Sequence, residues 1–258
     1  AVAVAEGVAG SVEEFAKLMN KKAGEIGAVN TNFVTPNGLD AKGHFSTAYD
    51  MALIGAYAIK NQQFLKITNT KSYSFYDCSN KRHIVVNNKD AFLNMSSDAI
   101  GIKTGFTGDA GYCFVGAVKS NNRVYVSCVL ASGWPPNKTY KWRDTTKFMD
   151  YGKNNFDTKK ILKNRISFPV NIENGTKKQI IAVAIGPYKA LVSKNDTVEA
   201  KTEFNYELPI KSGEKIGEVK LYINNQCVKK CKIEAVDSVE KYDFKYCFKK
   251  TLDYFIFQ

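Results

Sequence analysis

The sequence predicts an α+β domain, followed by a small all-β domain and a terminal amphipathic helix. Three observations carry this. Residues 1–151 mix apolar stretches at helical spacing with strand-like pairs joined by polar turns. Beyond Gly152–Phe156 the pattern becomes short β-rich runs interrupted by Pro169, Gly175, Gly186, Pro187, Pro209 and Gly213. Finally, Phe244, Phe248, Leu252, Phe255 and Ile256 share one helical face, while Lys241, Lys245, Lys249, Lys250 and Asp253 take the rest. The expected boundaries are 1–154, 155–238 and 239–258.

The first domain opens on an Ala- and Val-rich stretch, residues 1–9, expected as a buried helix that Gly10 ends. Ser11-Val12-Glu13-Glu14 spells a capping box for a second helix with Phe15, Leu18 and Met19 as its apolar stripe, stopping near Gly24 to Gly27. Asn30–Asp40 is irregular, with Pro36 and Gly38 as turn residues. Thr47–Asp50 opens a third helix with Met51, Ile54, Tyr57 and Ala58 at helical spacing. Residues 73–76 and 83–86 read as a strand pair, and 112–118 and 123–130 as a hairpin around Ser120-Asn121-Asn122. Residues 144–151 form a helix with Phe148 and Tyr151 expected inward. In the second domain, strands are expected at 180–185, 190–192, 204–208, 220–223 and 228–233, forming a small sandwich or barrel.

A chain of 258 residues has ample length for a core, and its hydrophobic content of 44% suits a globular protein. No run approaches the ~20 apolar residues of a membrane-spanning helix. The net charge of +12 divides evenly between residues 1–154 and 155–258, which argues against a nucleic-acid-binding arm. A basic surface suits an anionic cell wall or anionic lipid headgroups, and equally plain solubility. Six cysteines without a Cys-x-x-Cys, and only His44 and His83, form no zinc pattern, so no metal or other cofactor is expected. Cys113 and Cys128 lie in apolar runs and read as buried thiols. Cys227 and Cys231 read as unpaired, with a bridge between them as the alternative for an exported protein.

The chemistry centres on Lys103-Thr104-Gly105, which precedes the strand-like run Gly111–Val118. Lys103 supplies a compact positive charge, Thr104 a hydroxyl donor, and Gly105 a backbone that a ligand can approach closely. The tripeptide alone is unspecific. Its company is not: Asn32–Asp40, Ser46–Ile54, Gly101–Gly105 and Asp150-Tyr151-Gly152 follow in the order and spacing of the low-molecular-weight D-alanyl-D-alanine carboxypeptidases, penicillin-binding serine peptidases. The resemblance covers nearly the whole chain. It implies a partial β-lactamase/transpeptidase-like domain, then a β-sandwich-like stalk domain and a membrane-anchoring helix at 239–258.

In that family a Ser-x-x-Lys serine attacks the carbonyl between two D-alanines, and water hydrolyses the acyl-enzyme. By resemblance, Lys103 binds the substrate's terminal carboxylate region and helps depress the pKa of the lysine base, and Thr104 donates to the same carboxylate. The backbone N–H of Phe106, where relatives often have His, is one oxyanion-hole donor. Lys141 matches a position where relatives often carry a cleft-facing Arg, but the favoured reading is an ordinary surface lysine, because the loop 133–137 blurs the alignment. Asn87 and Asn88 fall where relatives line the substrate groove. Residues 1–10 resemble the helix that follows the family's Ser-x-Asn motif. The nucleophile, its Lys base and the second Ser are therefore expected upstream of Ala1, and the chain is expected to be inactive alone. Ser11, Ser46, Ser72, Ser96 and Ser193 each have a residue other than Lys three positions on.

The expected partners are peptidoglycan stem peptides ending in D-Ala-D-Ala, β-lactam antibiotics and a membrane surface, with no nucleic acid, and the expected place is the outer face of the bacterial cytoplasmic membrane. A non-catalytic peptidoglycan-binding or scaffolding protein is the alternative. A β-lactamase fits less well, since secreted β-lactamases usually lack a β-rich second domain and amphipathic tail.

Overall fold

The structure is a computed structural model that describes residues 1–256. The chain divides into two compact units, Ala1–Asn154 and Asn155–Gln258.

The first unit runs α1 (Val2–Ala9), α2 (Val12–Ile26), α3 (Ala48–Ala58), α4 (Gln62–Thr68), β1 (Ser72–Tyr76), β2 (His83–Asn87), α5 (Phe92–Met95), β3 (Ala99–Thr107), β4 (Gly111–Ser120), β5 (Arg123–Val129) and α6 (Tyr140–Asn155). The helix ends follow local chemistry. Gly10 and Gly27 close α1 and α2 in the left-handed conformation, which glycine adopts without a steric penalty. The Ser11 and Thr47 hydroxyls accept from Glu14 N–H and Asp50 N–H. Only half of the expected capping box forms, because the Glu14 carboxylate pairs with Lys17 at 2.6 Å.

The antiparallel sheet β3-β4-β5 is the centre of this unit. Alternation along β4 sends Phe114 and Val118 to one face and Val115 and Ala117 to the other. The first face packs against Phe92 and Leu93 of α5 and Trp142 and Met149 of α6. The Phe114 ring meets Phe92 and Trp142 edge-on, at 5.8 and 4.7 Å between centroids. The second face packs with Ile102 against Met51, Ile59 and Phe64. Gly55 lets α3 come close there, since a Cβ would stand 2.8 Å from a Val115 methyl. Helices flanking an antiparallel sheet are the predicted α+β class.

Several details differ from expectation. In α1 only Ala5 is buried, because a helix hides only the face it lays on a neighbour, whatever its composition. In α2 the buried side chains are Ala16 and Ala23, while Leu18 is exposed and Phe15 and Met19 are partly covered. Phe148 and Tyr151 are exposed. The inward face of α6 carries Lys141, Trp142, Thr145 and Met149, about a third of a turn away. Cys113 and Cys128 are partly rather than fully buried.

The second unit runs β6 (Phe156–Leu162), β7 (Arg165–Asn171), β8 (Gln179–Ile185), β9 (Tyr188–Ser193), β10 (Val198–Phe204), β11 (Lys215–Ile223), β12 (Gln226–Ala235) and α7 (Phe244–Ile256). Five strands form a sheet in the order β10-β11-β12-β8-β7, and β6 pairs with β9. Ile180, Ile210, Ile216, Leu221 and Ile233 fill its core. Pro169 lies inside β7 rather than breaking it, as an edge strand allows. Residues 205–208 lie beyond the end of β10 and are not strand. Cys227 and Cys231 are unpaired. On α7, Phe244, Phe248, Leu252, Phe255 and Ile256 are all exposed. The last two residues of the expected 239–258 helix, Phe257 and Gln258, lie outside the described residues.

Candidate functional site

Lys103, Thr104 and Gly105 lie in β3, opposite Val115, Phe114 and Cys113 of β4. β3 is an edge strand of its sheet, so alternate backbone N–H and C=O groups along its outer side have no ladder partner. Such an edge can take an extended peptide as an added strand. The strand enters through Gly101, at φ 116° beside a register shift, with its missing Cβ facing the Thr68 side chain of α4 at 2.9 Å. Lys103 is exposed, and its ammonium donates to the Thr104 carbonyl. A Cβ on Gly105 would meet only the Cys113 Cβ, at 3.8 Å, so internal packing leaves this position open.

Phe106 is half exposed and lays its ring on Tyr112, its strand partner, at 4.5 Å. Tyr112 leads to Lys141. The Lys141 ammonium sits 4.9 Å from the Tyr112 ring centre and 4.7 Å from that of Trp142, and the residue is only 7% exposed. Lys141 is therefore not a surface lysine. Burial lowers its pKa, the negative charge of Asp90 opposes this, and Lys103 adds to the lowering. Asp90 is buried too, and burial pushes its pKa up to about 6 against the pull of the Phe92 N–H and Lys141. Its Oδ1 accepts from Phe92 N–H at 3.0 Å, while Oδ2 has no hydrogen-bond partner. The other side of the β3 region carries Cys128, whose thiol is pushed up to about 12 by burial and by Cys113.

The irregular stretch 30–45 attaches to the far end of β3. Thr107 Oγ1 donates to Asp40 at 2.9 Å, and the Trp134 indole N–H donates to the Gly108 carbonyl at 2.7 Å. The stretch is itself held by Asn20, which bonds the Phe33 backbone on both sides, and by His44 Nδ1, which accepts from Val34 and Thr35 N–H.

Asn87 stands apart from this group. It is exposed on β2, opposite Ser72, and lines a cavity shared with α4 and β1. Asn88 is structural: its amide donates to the Thr68 and Thr70 carbonyls at 3.0 Å, and its oxygen accepts from Asp90 N–H at 2.9 Å. The sequence reading overlooked Asp90. Asn88-Lys89-Asp90 carries the signal, since Asn and Asp two residues before a backbone donor favour such turns.

Contrary to expectation, residues 1–258 do contain serines three positions before a lysine. Ser212-Gly213-Glu214-Lys215 and Ser238-Val239-Glu240-Lys241 do spell Ser-x-x-Lys, and Ser120-Asn121-Asn122 and Ser193-Lys194-Asn195 spell Ser-x-Asn. Their placement gives them other work. Ser212 lies in a turn and Ser238 in the irregular segment after β12, where Ser212 N–H donates to the Ser238 hydroxyl and the Ser212 hydroxyl to the Val236 carbonyl. A Ser-x-x-Lys puts both side chains on one face only when it is helical, and no described helix carries one. Ser120 ends β4 at a hairpin turn, and Ser193 ends β9 at the turn that leads to β10. Among the described residues, no cluster of His, Cys, Asp and Glu could hold a metal ion.

Comparison with known proteins matches residues 1–133 to the D-alanyl-D-alanine carboxypeptidase family, and residues 156–241 to the C-terminal domain of penicillin-binding protein 5. The chain is 30% identical over 257 residues to D-alanyl-D-alanine carboxypeptidase DacF of Bacillus subtilis, covering 97% of this chain and 65% of that protein. It is 32% identical to DacA of Haemophilus influenzae, covering 92% of this chain and 61% of that protein. It thus spans somewhat less than two thirds of the curated relatives it matches. Penicillin-binding protein 5 from Haemophilus influenzae superimposes with a TM-score of 0.63 at 28% identity, covering 93% of this chain and 70% of that chain. The α+β unit has the transpeptidase-like fold of these proteins. From the family match over its first 133 residues, the chain belongs to the D-alanyl-D-alanine carboxypeptidase family.

Proposed function

We propose that the protein carrying these residues is a serine-type D-Ala-D-Ala carboxypeptidase, which removes the terminal D-alanine from peptidoglycan stem peptides and is acylated by β-lactams. The observation that carries this is Lys103-Thr104-Gly105 on an open strand edge, within a chain of the carboxypeptidase family. In this reading the stem peptide lies along β3. Lys103 and the Thr104 hydroxyl hold its terminal carboxylate, and Gly105 leaves room for its backbone. Phe106 N–H polarises the scissile carbonyl, a contact whose loss costs on the order of 3 kcal/mol in such sites. Lys141 adds positive potential from behind Tyr112. The chemistry needs no cofactor.

The reacting serine and its lysine base are not supplied by residues 1–256 in a helical Ser-x-x-Lys, so the 258-residue chain is expected to be inactive by itself. Intact-mass spectrometry after incubation with benzylpenicillin tests this. No adduct on the chain, and a stoichiometric adduct on a longer form that includes a helical Ser-x-x-Lys, is the expected pair of results. An adduct on the chain alone would place the nucleophile within it. No adduct on the longer form would favour the second reading, a non-catalytic peptidoglycan-binding protein.

The exported protein would work at the outer face of the cytoplasmic membrane, with α7 lying in the interface. The exposed apolar side of α7 and its lysines support this. Among the described residues, no helix is long and apolar enough to cross a membrane.

A further inference from the structure

A cavity of about 530 Å³ lies between α4 and the β1-β2 ribbon, away from the Lys103 side chain, and the mechanism above leaves it unused. Its volume is within the roughly 300–1,000 Å³ of ordinary small-molecule sites. Gln63, Lys66 and Ile67 of α4 line one side, and Tyr73, Val86 and Asn87 of the ribbon line the other. The two walls are fastened together. Asn88 bonds both the Thr68 and Thr70 carbonyls, and its own N–H donates to the Lys71 carbonyl at 2.8 Å. The cavity is thus bounded by a helix and a ribbon whose junction is fixed.

Two features of the lining point to a ligand. Among the described residues, the side chains of Gln63, Lys66 and Asn87 make no hydrogen bond or ion pair, so the lining carries two planar amides free to bond a ligand, with Lys66 shared between this cavity and a second one beside α4. Beside them, apolar surface stands open: Tyr73 is 62% and Ile67 71% exposed, and the Tyr73 ring stacks on Phe75 at 6.1 Å to make a broader platform. A ligand that fits must offer apolar C–H faces to a ring and neutral donors and acceptors to amides. Two neutral amides and open apolar faces beside a single ammonium favour a ligand that is mostly neutral. A sugar ring has this double character, and an acetamido group adds an amide partner for Asn87 or Gln63 and a methyl for Ile67 and Val86.

We propose that this cavity binds an N-acetylated oligosaccharide. Identifying that oligosaccharide as the glycan strand bearing the stem peptide rests on the proposed carboxypeptidase reading; the binding itself does not. Asn88 in the lining bonds the Thr68 carbonyl, and the Thr68 side chain packs on Gly101 two residues before Lys103, so a glycan held here would lie near the entry of the strand that takes the peptide.

Titration of the isotope-labelled 258-residue chain with tri-N-acetylchitotriose, followed by NMR, tests the proposal without any need for acylation. The expected result is saturable shifts of the Gln63 and Asn87 side-chain amides and of the Tyr73 backbone. Tyr73→Ala and Asn87→Ala, both at exposed positions, should each weaken binding at least fivefold while leaving the remaining spectrum folded. The trisaccharide without acetyl groups should bind at least fivefold more weakly. No shift at millimolar sugar, shifts confined to other residues, or equal binding of the deacetylated sugar would overturn it. So would shifts at these residues with a D-Ala-D-Ala peptide but not with the sugar, which would make the cavity a peptide pocket. Failure of benzylpenicillin acylation on the longer form would overturn the enzyme reading and leave this one standing.

Discussion

The ammonium of Lys141 stands 4.9 Å from the ring centre of Tyr112, the strand partner of Phe106. A buried cation is thereby linked through the Tyr112 ring to the ring of Phe106, the residue that follows Lys103-Thr104-Gly105. Replacing Lys141 with Met keeps most of the stem volume and removes the charge. In a longer form shown to be acylated by benzylpenicillin, KM for a D-Ala-D-Ala peptide should rise at least fivefold with little loss of unfolding stability, since burying an ammonium without an ion pair is costly. Steady-state kinetics with urea unfolding checks both; an unchanged KM would remove Lys141 from the binding site.

Asp90 predicts a pH dependence. Its folded pKa is about 6, above the ordinary 3.8, so the folded state holds the proton more tightly than the unfolded state does. Its stabilising contribution is full below about pH 4 and is lost as pH rises through 6. Asp90→Asn does not titrate. Its stability relative to the wild type should therefore rise by about 2 kcal/mol between pH 4.5 and 7.5. Both tryptophans, Trp134 and Trp142, lie in the first unit, so tryptophan fluorescence during urea unfolding reports this unit alone. A difference that stays flat with pH would contradict the assignment.

Two glycines on facing strands should respond oppositely. Gly105→Ala adds a methyl that meets only an ordinary contact at 3.8 Å, so stability should change by less than about 0.5 kcal/mol. In a longer form shown to be acylated, its benzylpenicillin reaction should slow at least tenfold if a ligand lies against the strand. Gly116→Ala places a methyl 2.5 Å from the Phe114 ring and should cost about 1–3 kcal/mol. Thermal melts and acylation rates separate the two.

Asp50 is a structural carboxylate. It is 1% exposed, and its Oδ2 accepts from Asn30 N–H at 2.8 Å and from the Thr31 hydroxyl at 2.7 Å. Asp50→Ala strands both donors and should cost about 2–3 kcal/mol in the first unit's unfolding transition. A loss under 0.5 kcal/mol would mean that water replaces the carboxylate.

The exposed face of α7 makes a membrane prediction. The chain should co-sediment with anionic vesicles. Phe244→Ser with Phe248→Ser should weaken binding at least tenfold, and raising salt from 0.1 to 0.5 M should weaken it further by screening the lysines. Equal sedimentation of the double variant and the wild type would sink the anchor reading.

Much of this was legible in the residues. Glycines 10 and 27, the Ser11 and Thr47 caps and the Asn121-Asn122 turn act through bonds within a few positions, so their spelling announces them. The unbroken apolar run along β4 announces a strand buried on both sides. Helix faces were harder. Phe148 and Tyr151 are apolar and yet exposed, while Lys141 is charged and buried, because which arc of α6 meets the sheet depends on where Phe114 and Phe92 put their rings. The short α4 and α5 carry no long periodic pattern, and the Ser-x-x-Lys spellings at Ser212 and Ser238 show a motif without the helix that gives it meaning.

The sequence by itself determined the α+β class, the second β-rich unit, the strand around Lys103-Thr104-Gly105 and the family, since each is written in local periodicity or in motif order. Only the tertiary structure decided that Lys141 and Asp90 are both buried and feel each other's charge, that Asn88 is a staple while Asn87 lines a separate cavity, and that the apolar side of α7 is left uncovered. Those outcomes depend on contacts between residues tens of positions apart, where burial and charge are set by what packs opposite and not by the neighbours in the chain.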